Sequence, residues 1–188
     1  YRGTADAVYQ NLPFAATRRD DLVLILSGDH VYRMDYRAML EFHEAHEADA
    51  TVGVFEVPLD QASSFGTLIV DGENRVVEFD EKPKKPRSTL VSMGIYVFER
   101  DILEQRLDQD AQATSSHDFG YDIIPSMVNR DRVYAYRFDG YWRDVGTIQS
   151  YWEANLGLLA DPPEFDLYHP DWVIHTRSEE RPPARVLS

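Results

Sequence analysis

An unbroken run of five apolar residues, 22–26, is followed at once by Ser27-Gly28-Asp29-His30. Five residues are too few to cross a membrane, and a run that is apolar on every side lacks the one-sided pattern of an amphipathic helix. The run predicts a strand buried on both faces, as at the centre of a parallel sheet. Asp29 and His30 then lie beyond the carboxyl end of this strand, where open α/β sheets bind their ligands.

The rest of the chain alternates helical and strand-like patterns. Strands are predicted over 50–57, 90–98 and 133–138, with a strand end and turn over 142–146. The segments 66–70 and 75–80 flank Asp71-Gly72 as the two arms of a hairpin. Helices are predicted over 4–17, 100–107, 119–129 and 147–160, with a loop over 108–116. Asp35 is predicted to cap a further helix, with Tyr36, Met39, Leu40 and His43 on one face. This succession predicts an α/β domain whose sheet is wound by helical crossovers.

Composition narrows the function classes. The chain has 188 residues, enough for one domain with a substantial core. Its formal net charge of −14 argues against a nucleic-acid-binding protein, because binding to the phosphate backbone requires a basic surface. No apolar run approaches the length of a membrane span, so no membrane partner is expected. The absence of Cys excludes disulfides and thiolate metal sites and is consistent with a cytoplasmic protein.

Two aspartates, Asp29 and Asp144, each follow apolar or aromatic residues and lie next to a Gly-containing turn. If both lie at one edge of the sheet, their carboxylates form the oxygen-rich kind of site that Mg²⁺ prefers. Such an ion would link them to a nucleoside triphosphate and neutralise charge in phosphoryl or nucleotidyl transfer. For either aspartate alone, an ordinary turn residue or helix cap is the alternative interpretation.

The segment 81–87, Glu-Lys-Pro-Lys-Lys-Pro-Arg, contains every Lys of this acidic chain. Concentrated positive charge can bind a phosphate, with Lys acting as a mobile point charge. A solvated loop explains Lys84, Lys85 and Arg87 equally well. Lys82 differs because it directly follows a predicted strand and precedes Pro83.

Two further segments, 116–120 and 141–144, place aromatic residues beside polar ones. Sugar-binding sites use this combination, because flat apolar faces pack against the sugar ring and carboxylates accept from its hydroxyls. Aromatic residues in such a pattern also occur in ordinary cores, so the pattern alone leaves both interpretations open.

Taken in order along the chain, six segments resemble the ADP-glucose pyrophosphorylase (glucose-1-phosphate adenylyltransferase) family. The segments are Tyr-Arg-Gly-Thr-Ala-Asp-Ala-Val (1–8), Leu-Ser-Gly-Asp-His-Val-Tyr (26–32), Phe-Asp-Glu-Lys-Pro (79–83), Ser-Met-Gly-Ile-Tyr-Val-Phe (92–98), Ser-Ser-His-Asp-Phe-Gly (115–120) and Tyr-Trp-Arg-Asp-Val-Gly-Thr (141–147). The Gly-Asp-His and Glu-Lys-Pro pieces are shared with other sugar nucleotidyltransferases. The His-Asp-Phe-Gly and Tyr-Trp-Arg-Asp-Val-Gly pieces are more particular to the ADP-glucose enzyme.

The resemblance implies a Rossmann-like α/β nucleotidyltransferase domain followed by a left-handed parallel β-helix. Residues 1–160 correspond to a partial catalytic domain, and 161–188 to a linker and the truncated entry to the β-helix, with 168–187 at that entry. The family's first strand and its Gly-rich phosphate loop are expected to precede Tyr1. The chain is therefore expected to be an internal fragment, inactive alone, from a protein that forms homotetramers.

The resemblance also implies site residues. Those near the adenine nucleotide are Tyr1, Gly3, Thr4 and Ala5. Asp29 and Asp144 are expected to hold Mg²⁺. The glucose 1-phosphate site is expected to include Glu81, Lys82, Ser92, Tyr96, Asp118, Phe119 and Trp142, with Lys82 on the phosphate. Asp29, Asp144 and Lys82 are the expected catalytic residues.

The implied reaction is transfer of the adenylyl group of ATP to α-D-glucose 1-phosphate, giving ADP-glucose and pyrophosphate for glucan synthesis. Two alternatives remain. A relative on the same scaffold could use UTP, dTTP or GTP instead of ATP. A non-catalytic regulatory paralogue is less expected, because such a protein should have lost its metal-binding carboxylates and both Asp29 and Asp144 are present.

Overall fold

A computed structural model describes residues 1–15 and 21–175 in two compact units, Tyr1–Trp142 and a second that begins at Arg143. The helices are α1 (Thr4–Ala15), α2 (Tyr36–Ala45), α3 (Arg100–Gln112), α4 (Ile124–Val128) and α5 (Ile148–Gly157). The strands are β1 (Leu22–Ile25), β2 (His30–Tyr32), β3 (Ala50–Glu56), β4 (Gly66–Val70), β5 (Val76–Glu81), β6 (Leu90–Glu99), β7 (Val133–Arg137) and β8 (Trp142–Asp144). A single π-helical turn, Phe119–Ile123, leads into α4.

The main sheet of the first unit is mixed, in the order β5-β4-β6-β3-β7, with β1 also paired to β6. The β3–β7 pair is parallel, whereas β6 runs antiparallel to β1, β3 and β4. Because β6 opposes both β1 and β3, those two strands run in the same direction. The carboxyl ends of β1, β3 and β7 therefore point toward the same side of the sheet.

Side chains alternate between the two faces of the sheet and fill two cores. On β6, Tyr96 and Phe98 belong to the core beneath α1, α3 and α4, whereas Ile95 and Val97 belong to the core that includes Met39 of α2. Helices thus cover both faces, as the strand and helix pattern predicted. The α/β class is confirmed, and the two central strands β3 and β6 carry most of the burial.

The parallel pairing predicted for strand 22–26 is wrong. Strand β1 does contribute to both cores, with Leu22 and Leu24 on one face and Val23 and Ile25 on the other, but each of these residues is only half-buried. In the described part of the chain β1 pairs along one edge, with β6, and that pair is antiparallel. Apolar side chains on both faces of a strand indicate that helices cover both faces of the sheet. They do not indicate which strand pairs with it or in which direction.

Several local predictions are confirmed. The carboxylate of Asp35 caps α2 by accepting from the Arg37 amide, and Met39 and His43 on the predicted face of α2 are fully buried. The hairpin β4–β5 closes through Asp71, whose side chain accepts from the amides of residues 73 and 75. The predicted loop over 108–116 is wrong in its first part, because α3 continues to Gln112.

The second unit contains α5, whose start is fixed by a capping box between Thr147 and Ser150. Residues 168–175 contain no strand, and the remainder of the predicted β-helix entry, 176–188, lies outside the described residues. None of the helices within residues 1–15 and 21–175 is both long and apolar enough to cross a membrane.

Candidate active site

A cavity of about 360 Å³ lies in the first unit at the carboxyl end of β1. One wall comes from α1 and another from the end of β1 with the residues after it. The remaining walls come from β5, β6 and the π-helical turn. Its lining residues are Thr4, Ala7, Val8, Ile25, Leu26, Ser27, Glu81, Gly94, Tyr96, Asp118, Phe119 and Gly120. Five of the residues predicted from the sequence are therefore brought together in one concave site: Thr4, Glu81, Tyr96, Asp118 and Phe119.

Thr4 and Asp118 join the two ends of this site. The Thr4 hydroxyl donates to Oδ2 of Asp118 at 2.9 Å and accepts from the backbone amide of Phe119 at 3.1 Å. The other carboxylate oxygen of Asp118 accepts from the amides of Gly120 and Tyr121, which caps the π-helical turn. The start of α1 and the start of the π-helical turn are thus connected through one hydroxyl and one carboxylate.

The Glu81 carboxylate lies between two glycines. A Cβ atom on Gly120 would lie 2.4 Å from Oε2 of Glu81, and one on Gly66 would lie 2.6 Å from the same oxygen. Burial raises the pKa of Glu81, Lys82 opposes this, and the nearby Asp118 carboxylate adds to it. A mostly buried carboxyl that faces the cavity can accept hydrogen bonds from the hydroxyls of a sugar.

Aromatic rings form the apolar wall. Tyr96 and Phe119 stack with their ring centroids 5.6 Å apart, and both are buried. Burial raises the pKa of Tyr96 to about 12, so its hydroxyl stays protonated at neutral pH. The Ser92 hydroxyl, which was also predicted for this site, donates to the Tyr96 hydroxyl at 3.4 Å and supports it from outside the cavity lining.

Asp29 and Lys82 lie beside the cavity. The Ser27 hydroxyl donates to Asp29 at 2.7 Å, and this bond lowers the pKa of Asp29, with smaller contributions from His30 and Lys82. The Asp29 side chain is 63% exposed and presents an ionised carboxylate. Nζ of Lys82 is 3.7 Å from Oε1 of Glu81. The backbone of Lys82 has a φ of 46°, and the hydrogen bond from the Lys82 amide to the Phe65 carbonyl helps to hold this conformation.

Three of the four predicted nucleotide residues do not line the cavity within the described part of the chain. Tyr1 is largely exposed and its hydroxyl accepts from Asn11. Gly3 packs so closely on the backbone of 116–117 that a Cβ would lie 2.3 Å from the His117 carbonyl oxygen. Ala5 is fully buried in the core. Residues Gly3 and Ala5 thus support the cavity wall that Thr4 forms.

Trp142 also lies outside the cavity lining. Its indole is 8% exposed and packs against the rings of His30, Phe55 and Phe65 at centroid distances of 5.2–5.5 Å. The indole Nε1 is buried without a hydrogen-bond partner. A buried donor without a partner costs free energy.

The metal prediction concerns residues of both units. Asp29 belongs to the first unit, and Asp144 belongs to the second, where its carboxylate accepts from the Gly146 amide at 2.7 Å. Within residues 1–15 and 21–175, no group of three or more His, Asp or Glu side chains forms a metal-binding cluster. The ionised, exposed carboxylate of Asp29 suits a hard cation such as Mg²⁺.

The remaining cations of segment 81–87 fit the solvated-loop interpretation in part. Arg87 pairs with Glu78 and with Asp80 of β5, which keeps its guanidinium on the outer face of the hairpin. Lys84 and Lys85 are exposed. Lys82 is the lysine of this segment that lies beside the cavity carboxylates.

Sequence reasoning missed the supporting residues of the site. Gly66 begins a strand, and nothing in its local sequence indicates that it makes room for Glu81. The buried pair of Asp110 and His117, 2.8 Å apart, was also missed, because Asp110 lies in the segment predicted as a loop. His117 itself lies inside a motif that carried the resemblance, and this was the available signal.

Comparison with known proteins identifies the family of this chain and several relatives. The family model described as nucleotidyl transferase matches residues 1–161. A glucose-1-phosphate adenylyltransferase of Thermotoga neapolitana is 55% identical over 99% of this chain, which corresponds to 45% of that relative. Proteins of the same name from Thermomicrobium roseum and Clostridium acetobutylicum are 55% and 52% identical over 100% and 99% of this chain, or 44% and 50% of those relatives. The chain thus spans about half the length of the curated relatives it matches.

Proposed function

This chain belongs to the nucleotidyl transferase family, and we propose that the full-length protein transfers the adenylyl group of ATP to α-D-glucose 1-phosphate, releasing pyrophosphate and forming ADP-glucose. Identity of 52–55% to proteins named glucose-1-phosphate adenylyltransferase supports this choice of nucleotide and sugar phosphate.

The observation that carries the proposal is the composition of the cavity. Glu81 and Asp118 line it as hydrogen-bond acceptors, and Tyr96 and Phe119 supply stacked aromatic faces. A pyranose requires both, since its hydroxyls donate and its C–H faces are apolar. Lys82, adjacent to Glu81, provides a positive charge for the sugar phosphate. Thr4 brings the start of α1, proposed to be near the adenine nucleotide, against the sugar-binding side.

In the proposed reaction an oxygen of the glucose 1-phosphate phosphate attacks the α-phosphorus of ATP. A bond forms between this oxygen and phosphorus, and the bond to the β-phosphate oxygen breaks, so that pyrophosphate leaves. The nucleophile is already anionic, so no side chain has to remove a proton. The protein contributes by holding the two anionic substrates in line and by offsetting their charge, and we assign the second role to Lys82 at the sugar phosphate.

We propose Mg²⁺ as the cofactor, with Asp29 and Asp144 as its protein ligands. The ionised and exposed carboxylate of Asp29 supports the first assignment. When bound, the ion would neutralise triphosphate charge. Asp144 remains a prediction from the sequence motif.

The sequence-based expectations about assembly and location belong to the same proposal. We propose a homotetramer in the cytoplasm, in which the residues after 161 lead into a left-handed β-helix. The absence of Cys is consistent with this location. Size-exclusion chromatography with light scattering on the full-length protein tests the tetramer.

The decisive experiment measures pyrophosphate release by the full-length protein with glucose 1-phosphate and each of ATP, UTP, dTTP and GTP. The proposal expects ATP to give a kcat/KM at least tenfold above the other three nucleotides, with Mg²⁺ required. A preference for another nucleotide would assign the chain to a different sugar nucleotidyltransferase. No turnover with any nucleotide, in a folded protein that binds ATP, would favour the regulatory paralogue.

A further inference from the structure

His117 holds two segments of the site together from the side away from the cavity. Its backbone carbonyl accepts from the amide of Ala5 at 2.8 Å and from that of Asp6 at 3.4 Å. The next residue, Asp118, accepts from Thr4. Residues 117 and 118 therefore contact the first turn of α1 at three points.

The His117 side chain is itself fixed by α3 and the segment after it. Its Nδ1 is 2.8 Å from Oδ2 of Asp110 and 3.0 Å from the Ser115 hydroxyl, and the side chains of His117 and Asp110 are 8% and 9% exposed. The Ser115 hydroxyl donates to the other oxygen of Asp110 at 2.7 Å. Because a carboxylate oxygen accepts and the Ser115 hydroxyl already donates to Asp110, Nδ1 is the donor to Asp110.

The backbone at His117 needs this support. Its φ of 58° lies in the left-handed region, which costs free energy for a residue other than Gly. This conformation turns the carbonyl toward α1, where the chain approaches so closely that Gly3 has no room for a Cβ. The side-chain bonds to Asp110 and Ser115 hold the strained residue from one side, and the bonds from Ala5 and Asp6 to its carbonyl hold it from the other.

We infer that His117 is a positioning residue: bound to Asp110 through Nδ1, it sets the orientation of the 117 carbonyl and so the alignment of the Thr4 wall with the Asp118 wall. The inference rests on the proposed function, because it assigns the nucleotide to the first wall and the sugar phosphate to the second. Neither His117 nor Asp110 lines the cavity, so they act through Thr4, Ala5 and Asp118.

The test compares two substitutions at one position in the full-length protein. His117→Gly relieves the backbone strain but removes the side-chain bond to Asp110. His117→Asn keeps the bond to Asp110, because the Asn amide nitrogen occupies the place of Nδ1. It also keeps the backbone conformation, because Asn tolerates a positive φ. We expect His117→Gly to raise the KM for both substrates about tenfold or more, and His117→Asn to stay within about twofold of wild type.

Two controls separate positioning from a loss of folded protein. His43→Asn replaces a second buried His. Its Nδ1 is also hydrogen-bonded, to Thr51 at 2.8 Å, but it lies on the opposite face of the sheet. It should leave both KM values unchanged whatever it does to stability. Asp110→Ala should reproduce the effect of His117→Gly, and the double variant should be no worse than either single one, because both remove the same contact.

Hydrogen exchange at the amides of Ala5 and Asp6, without substrates, provides a readout that does not depend on the reaction. His117→Gly should accelerate exchange there and His117→Asn should not. Unchanged KM values and unchanged exchange in His117→Gly would overturn the inference, as would a His117→Asn variant that is as impaired as His117→Gly. If wild type fails with ATP and glucose 1-phosphate, the proposed function fails, and the exchange measurement still decides the role of His117.

Discussion

The hydroxyl of Thr4 and the carboxylate of Asp118, 114 residues apart in the sequence, are joined by a 2.9 Å hydrogen bond at the edge of the cavity. The same hydroxyl accepts from the Phe119 amide. One small side chain therefore links the first turn of α1 to the π-helical turn.

Thr4→Val is expected to lower kcat/KM about tenfold, because Val keeps the shape of Thr but neither donates nor accepts. A tenfold loss is about 1.4 kcal/mol, the size expected for one net hydrogen bond. Steady-state kinetics with both substrates varied give the value. Thr4→Ser retains the hydroxyl and should stay within about twofold of wild type, and a Thr4→Ser variant as slow as Thr4→Val would contradict the role of the hydroxyl.

Gly120→Ala is expected to displace the Glu81 carboxylate, since the added Cβ would lie 2.4 Å from Oε2. Overpacking of this kind typically costs about 1–3 kcal/mol of stability, and here it should also raise the KM for glucose 1-phosphate. Thermal unfolding and sugar-phosphate kinetics measure the two effects. Gly72→Ala is the matched control, because no atom lies within 4 Å of its added Cβ. Equal behaviour of the two variants would show that Glu81 can relocate without consequence.

Asp29→Asn is expected to reduce kcat about a hundredfold or more while leaving the fold intact, because the side chain is 63% exposed and its proposed role is electrostatic. Asp144→Asn is predicted to act in the same way. Turnover at saturating substrate over a range of Mg²⁺ concentrations is the measurement, with Asp139→Asn as an exposed control carboxylate. Near-normal kcat in Asp29→Asn would refute its role at the metal.

Lys82→Ala is expected to raise the KM for glucose 1-phosphate roughly tenfold to a hundredfold and to change the KM for ATP little, because a charge-assisted hydrogen bond contributes about 1.5–3 kcal/mol. Lys84→Ala removes an exposed lysine two residues further along and serves as the matched control. If Lys82→Ala instead changed the KM for ATP alone, Lys82 would be reassigned to the nucleotide.

His43 is expected to make stability depend on pH. Burial lowers its pKa to about 4 from 6.5, and its Nε2 lies 3.6 Å from Glu99 with Asp49 and Arg132 nearby. Below pH 6.5 the unfolded chain binds a proton that the folded chain does not, so stability falls as the pH falls toward 4. At roughly 1.4 kcal/mol per unit, the loss between about pH 7.5 and about pH 5 is roughly 2 kcal/mol.

The measurement for His43 compares urea unfolding of wild type and His43→Asn at both pH values. The difference in stability between the two proteins should shrink at the lower pH, because only wild type contains a histidine that is neutral when folded and protonated when unfolded. The carboxylates that lie away from His43 titrate alike in the two proteins and cancel in the comparison. A difference that does not depend on pH would contradict a neutral His43 in the folded state.

The local sequence was sufficient to predict much of the secondary structure. The Asp35 cap, the buried face of α2 and the Asp71-Gly72 hairpin depend on contacts within a few residues, and each was predicted correctly. Pattern reasoning works for such features since hydrophobic period and turn chemistry act over short distances. Five of the cavity residues were also identified, but through the resemblance of their segments to a known family.

The tertiary structure alone decided which strands pair and which segments meet. Insertion of β6 antiparallel beside β1 and β3 depends on pairs of residues that are 34 to 77 positions apart in the sequence, and the apolar run 22–26 carries no signal for its partner. The space that Gly66 and Gly120 leave for Glu81, and the bond between His117 and Asp110, arise only when these segments are brought together. A sequence pattern indicates whether a residue favours an apolar or a polar environment. The site depends on which residue, distant in the sequence, provides that environment in the folded chain.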